Sequence, residues 1–140
     1  MPAIAEPPTS KTALWTGRVL SGLVIVFLLL DGGMKLLPLP IVTETMDKMG
    51  WGASENLARS LGLITIVCTL LYAVPPTSIL GAILLTGYLG GAIASHARID
   101  SPLFTHTLFG VYLALMVWGG LWLRSPALRA LLPFASDRRE

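Results

Sequence analysis

TGYLGGAIASHARIDSPLFTH, residues 86–106, is a glycine-rich apolar segment that ends in a burst of ionisable side chains. His96, Arg98, Asp100 and His106 fall within eleven positions, and the chain has no third histidine. Upstream of His96 the run holds no charge back to residue 77, the pattern of a helix that crosses a bilayer and surfaces at its charged end. Within it, Gly87 and Gly91, and the offset pair Gly90 and Ala94, have the small-xxx-small spacing that lets another helix backbone come close.

Composition agrees. Of 140 residues, 54% are hydrophobic and 13% charged, with a mean hydropathy of +0.71. A soluble domain carries roughly 25% charged residues, so this chain has too little polar surface to coat a globule and belongs in a lipid bilayer. Four spans of about 20 residues would use most of it. A net charge of +2 is too small to imply a nucleic-acid partner. Cys68 is the sole cysteine, which excludes an intramolecular disulfide and CxxC dithiol chemistry; in mid-span it reads as a small core residue.

The expected fold is all-α, a polytopic membrane protein built as an antiparallel four-helix transmembrane bundle. Residues 1–12, with three prolines and no apolar period, form a flexible tail; 13–124 form the transmembrane domain; 125–140 form a basic amphipathic tail. Span one, 13–37, is too long for a secretory h-region. It is interrupted by Asp31 and Lys35 and stopped by Pro38 and Pro40. Residues 41–52 have the spacing of a short amphipathic helix lying at the interface. Ser54 is positioned to cap span two, 55–74, and the link VPPTS turns it into span three, 77–96. A tight loop, 97–103, follows, with Pro102 at the opening turn of span four, 104–123. Trp118 and Trp122 read as an interfacial aromatic belt, and ALRALLPF, 127–134, as a stretch resting on the membrane surface.

Lys11, Arg18, Arg124, Arg129, Arg138 and Arg139 flank the spans on the side of the termini, against Lys35, Lys48, Arg59 and Arg98 on the other. The positive-inside rule then places both termini in the cytoplasm, across a bacterial-type inner membrane. Because the spans alternate in direction, Asp31, Lys35, Glu55, Arg59, His96, Arg98 and His106 all fall near the opposite, non-cytoplasmic face. Asp31 and Lys35 are i and i+4 on one helix face, as are Glu55 and Arg59. Tyr88, two turns below His96, extends the polar track inward. A carboxylate inside an apolar helix is costly and faces the interior with a partner, which makes Asp31 the leading functional candidate beside His96 and His106. Arg98 is suited to anchor an anion or carbonyl. His96, His106 and Asp31 or Asp100 supply the groups of a two-histidine, one-carboxylate set, but the histidines lack helical i, i+4 spacing, and no metal is expected.

The segments LLLDGGMKLLPLP, LLYAVPPTSILGAILLTGYLGGAIASHARIDSPLFTH and VWGGLWLRSPALRALLP resemble the DoxX-like family of small four-helix membrane proteins over residues 18–133. The resemblance implies a four-helix transmembrane bundle and puts Asp31, Lys35, Thr86, Tyr88, Gly90, Gly91, His96, Arg98 and His106 on recurring motif positions. Where relatives often carry proline before the tyrosine of span four, this chain has Gly110. The family name derives from a subunit of a thiosulfate:quinone oxidoreductase, which implies a quinone-linked or redox-associated role. On that reading Asp31, His96 and His106 carry the chemistry, while Lys35, Arg59, Thr86, Tyr88 and Arg98 hold a small lipid-soluble ligand. Electrons would come from a partner protein, since the chain shows no haem, flavin or iron–sulfur motif. Two other classes fit the same residues: an acid-base enzyme (isomerase, cyclase or epoxide-opening type) acting on a hydrophobic molecule, and a non-catalytic subunit or carrier, alone or as a homo-oligomer.

Overall fold

The computed structural model describes residues 9–132. They form six α-helices: α1 (Lys11–Leu36), α2 (Pro40–Lys48), α3 (Glu55–Ala73), α4 (Ser78–Arg98), α5 (Phe109–Arg124) and α6 (Pro126–Leu131). A 3-10 turn (Pro75–Thr77) precedes α4, a π turn (Leu103–Thr107) precedes α5, and the described residues hold no strand. Four helices, α1, α3, and α4 and α5 with their preceding turns, are long and apolar enough to cross a membrane. Even α3, with 19 residues, spans about 28 Å at ~1.5 Å per residue, close to the hydrocarbon thickness of a bilayer.

Local signals explain the boundaries. Ser10 and Ser54 cap α1 and α3, their hydroxyls accepting from the amides of Ala13 (3.1 Å) and Leu57 (3.3 Å). The expected interfacial helix is α2, which ends at Lys48 and is followed by Gly50 and Gly52 at φ +82° and +75°. Those are left-handed conformations that glycine adopts without steric cost. One expectation needs correction. Arg98, assigned to a loop, is the last residue of α4, because the helix continues two residues past His96. Pro102 stands immediately before the fourth span, Leu103–Arg124, which opens as the π turn, and α5 itself starts at Phe109. Within the basic tail, α6 is helical, while the rest of that tail, 133–140, and most of the amino-terminal one, 1–8, lie outside the described residues.

The four long helices form a ring in which α1 and α4 each pack on both α3 and α5. Glycines set the close approaches. A Cβ on Gly32 would meet Ile66 at 2.7 Å, and one on Gly62 would meet the Gly32 carbonyl at 2.7 Å, so α1 and α3 cross nearly backbone to backbone. Gly17 and Gly120 join α1 to α5, Gly81 abuts the Tyr72 backbone across the α3–α4 hairpin, and Gly110 lets α5 settle on Ile93 of α4. Lipid offers no hydrophobic drive between helices, so such contacts and interhelical hydrogen bonds hold the bundle. The expected small-xxx-small face of span three is corrected here. A Cβ on Gly87, Gly90 or Gly91 would meet nothing within 4 Å, and those residues and Ala94 are exposed on the outside of the bundle.

Polarity is distributed as a bilayer demands. Leu23, Val26, Leu63, Ile83 and Leu115 are exposed, while Ser21, Thr65, Thr69, Tyr72 and Ser78 are buried. Thr65 and Thr69 donate to the carbonyls of Leu61 and Thr65 at 2.8 and 2.6 Å. Cys68, as expected, is a buried core residue. Tyr72, fully buried, donates from α3 to the Val117 carbonyl on the diagonal helix α5 (2.7 Å) and shares a hydrogen bond with Ser21 of α1 (2.9 Å). Arg124 donates from Nε to the same Ser21 hydroxyl (3.0 Å), with its guanidinium 5.4 Å from the Tyr72 ring centre. This knot ties three helices at the end of the bundle where the termini lie.

Two outcomes follow. Tyr72→Phe should lower unfolding stability by about 1–3 kcal/mol, the effect of stranding a buried partner, measured by denaturing-detergent titration in mixed micelles. Gly81→Ala should cost more than Gly91→Ala, which should stay within about 0.5 kcal/mol of wild type; equal costs would contradict the assignment of the inner and outer faces of α4.

Candidate functional site

At the end opposite the termini, the structure gathers ionisable groups into two sets. The first is inside the bundle. Gly32 and Gly62 bring α1 and α3 so close that a Cβ on Gly62 would lie 2.9 Å from Lys35 Cβ. That crossing fixes the root of the Lys35 side chain. From there Lys35 Nζ donates to the Oδ2 of Asp31, one turn back on α1, forming an ion pair, and to the hydroxyl oxygen of Tyr88 on α4 at 2.9 Å. Nζ also stands 5.5 Å from the Tyr88 ring centre. Because α1 and α4 are diagonal in the ring, this reach crosses the interior. The group is not sealed: the side chains of Lys35 and Asp31 are 20% and 33% exposed.

The second set is the histidine pair. His96, in the last turns of α4, and His106, in the π turn, meet edge to face with ring centres 5.8 Å apart. The π turn makes this pairing. Amides of His106 and Thr107 bond to the Pro102 carbonyl at 3.0 and 3.2 Å, and the Thr107 hydroxyl donates to the Ser101 carbonyl at 3.2 Å, drawing the loop over α4. Nδ1 of His96 is hydrogen-bonded to the Ser101 hydroxyl (3.1 Å) and Nδ1 of His106 to that of Thr105 (2.8 Å). Both rings are thereby oriented through one nitrogen, leaving Nε2 as the one for a ligand.

Other expected site residues stand apart from these sets. Arg59 pairs with Glu55 at 3.4 Å on the surface, the side chains 52% and 63% exposed, where an ion pair contributes little. The Thr86 hydroxyl donates to the Ala82 carbonyl (2.7 Å) and accepts from Trp118 Nε1 (2.7 Å), so it fastens α4 to α5, and neither bond reaches Lys35 or Tyr88. Arg98 is exposed and its guanidinium lies over Gly50. No group of three metal-ligating side chains forms among the described residues, so the two-histidine, one-carboxylate set is not brought together.

One participant escaped the sequence. Trp51, between the two left-handed glycines, donates from Nε1 to Ser95 Oγ at 3.3 Å, one residue before His96. Together with the Arg98–Gly50 contact this ties the turn after α2 to the end of α4. The flanking Gly50 and Gly52 were the available signal. Chemically, the arrangement offers an ammonium, a phenol and two imidazoles as hydrogen-bond donors or proton carriers, with a carboxylate holding the ammonium in place.

No curated protein and no solved structure matches the chain significantly. A model of the DoxX-like family matches residues 19–120, which takes in α3 and α4 whole, most of α1 and α5, and every residue of both sets. The chain is a multi-pass membrane protein and belongs to the DoxX-like family.

Proposed function

We propose that the protein holds the oxygen-bearing head of a lipid-soluble small molecule at the end of the bundle away from the termini and exchanges protons with it. The observation that carries this reading is the double engagement of Lys35 with Asp31 and Tyr88. Since Nζ has no lone pair, the Tyr88 oxygen accepts from it, and the phenolic proton is directed elsewhere. A phenolate formed at Tyr88 would face the ammonium at 2.9 Å, so the charge left by a departing proton is already countered. That is the arrangement of a general acid. His96 and His106, oriented through Nδ1, supply the next donors or acceptors at Nε2.

A quinone fits this donor set. Its two carbonyl oxygens match one imidazole Nε2 and the Tyr88 hydroxyl as partners, and its isoprenoid tail suits the apolar exterior of α4, where Gly87, Gly90 and Gly91 leave open space. When bound, a quinone supplies reversible electron and proton uptake, with electrons from a redox partner protein. The acid-base alternative uses the same Tyr88 proton on a carbonyl or epoxide oxygen. On this proposal the site faces away from the cytoplasm in a cell inner membrane and both termini are cytoplasmic, in keeping with the positive-inside count.

A second reading has its own observation. Asp31, Lys35 and Tyr88 already bond to one another, and two cavities, one bordered by Trp118 and Trp122 and one by Lys11 and Trp15, lie at the other end. The group would then be a clamp between diagonal helices in a non-catalytic subunit.

Trp51, bonded beside His96, is a built-in reporter. Titrating the full chain in nanodiscs with a short-tailed benzoquinone should quench tryptophan fluorescence saturably. His96→Ala and Tyr88→Phe should each weaken binding about tenfold, or about 1.4 kcal/mol, with melting temperature held within a few degrees. Quenching that rises linearly in wild type and variants alike would remove the quinone reading. Loss of folding in Lys35→Met with no saturable ligand would favour the clamp.

A further inference from the structure

We infer that the groove between α5 and α6 binds an anionic phospholipid of the leaflet on the side of the termini, its acyl chain against Trp118, Gly119, Trp122, Leu128 and Leu132 and its phosphate toward Arg129. Three independent observations converge on that occupant.

The first is shape and polarity. The groove encloses about 330 Å³, within the roughly 300–1,000 Å³ of ligand-holding clefts. Its walls come from two elements: α5 supplies the tryptophans and Gly119, and α6 with the residue after it supplies the leucines. α6 is itself held in place. Leu128 is buried, and the Ser125 hydroxyl accepts from its amide at 3.3 Å.

The second is the cation at its edge. The Arg129 guanidinium lies 5.9 Å from the Trp122 ring centre and donates to the carbonyls of Trp122 (3.0 Å) and Leu123 (2.9 Å) and to the Thr9 hydroxyl (2.6 Å). These partners orient it without neutralising it, because all three are uncharged.

The third is charge asymmetry over the whole bundle. Lys11, Arg18, Arg124 and Arg129 share this end, and neither ion pair among the described residues involves any of them. Every described carboxylate (Asp31, Glu44, Asp47, Glu55 and Asp100) belongs to the opposite end or its connecting turns. An end whose described charges are all positive and that carries tryptophans at its edge attracts acidic headgroups, and basic pockets beside transmembrane helices are where such lipids are held. A zwitterionic lipid fills the apolar groove equally well but gains nothing net from the field, so the preference should be for net negative charge.

Gly119 provides the test. A Cβ there meets nothing within 4 Å, so Gly119→Leu should fold while its side chain occupies the groove. Full-length protein is reconstituted in vesicles of equimolar phosphatidylglycerol and phosphatidylcholine, extracted in mild detergent, and its retained lipids are counted by native mass spectrometry. Wild type should retain phosphatidylglycerol at least threefold over phosphatidylcholine. Gly119→Leu should bring the ratio to that of the mixture, and Gly22→Leu, at an equally open position on α1, should leave it unchanged. If Gly119→Leu does not fold, Leu132→Asp, at the exposed rim, reads the same preference by repelling the phosphate. Retention at the mixture's ratio in wild type overturns the proposal, as does a preference that survives both variants. A wild-type dimer that Gly119→Leu converts to monomer with the lipid ratio unchanged also overturns it and assigns the groove to a second copy.

Discussion

A lysine ammonium inside an apolar helix must find partners, and the way Lys35 finds them governs the upper half of this bundle. Insertion scales put a charged residue at the centre of a membrane helix at about 2.5–3.5 kcal/mol, and Lys35, in the last turn of α1, bears a smaller cost of the same kind. Lys35 offsets that through the Asp31 carboxylate on its own helix and the Tyr88 hydroxyl on the diagonal one. The contact between Gly32 and Gly62 lets the helices close around this group. Once α1 is bound to α4 through the interior, the top of α4 is fixed, and with it His96. The π turn then brings His106 to meet it.

The opposite end solves the same problem without an ion pair. Tyr72 reaches across the other diagonal to the Val117 carbonyl and, through Ser21, to Arg124. The bundle is thus fastened along both diagonals, once at each end, each time by a tyrosine hydroxyl. The difference is accessibility. Tyr72 is fully buried, whereas the Asp31 side chain is a third exposed. One fastening is internal structure, and the other is partly exposed.

Much of this was legible in the residues. Four apolar runs separated by proline-rich links define the spans, and alternating direction alone predicts that Asp31, Lys35, His96 and His106 share one end. The i, i+4 spacing predicts the Asp31–Lys35 pair. What was not legible depends on which helix faces which. Small-xxx-small spacing at Gly87/Gly91 is exposed, while the same spacing at Gly17/Ser21 and Ala58/Gly62 is buried at helix contacts. The pattern marks a smooth face without saying what covers it. Thr86 and Tyr88 are two residues apart in the same motif, yet about 200° apart around the helix at 3.6 residues per turn, so Thr86 bonds to Trp118 and only Tyr88 joins Lys35. A two-residue extension of α4 takes Arg98 out of the loop, and no spacing rule announced the Trp51–Ser95 bond.

The bond between Lys35 and Tyr88 across the bundle holds this end together. A double-mutant cycle of Lys35→Met and Tyr88→Phe, followed by denaturing-detergent unfolding in mixed micelles, measures it directly. Directly bonded side chains couple by about 0.5–3 kcal/mol, and a coupling of about 1 kcal/mol or more is predicted here. Additivity within about 0.3 kcal/mol would contradict the account.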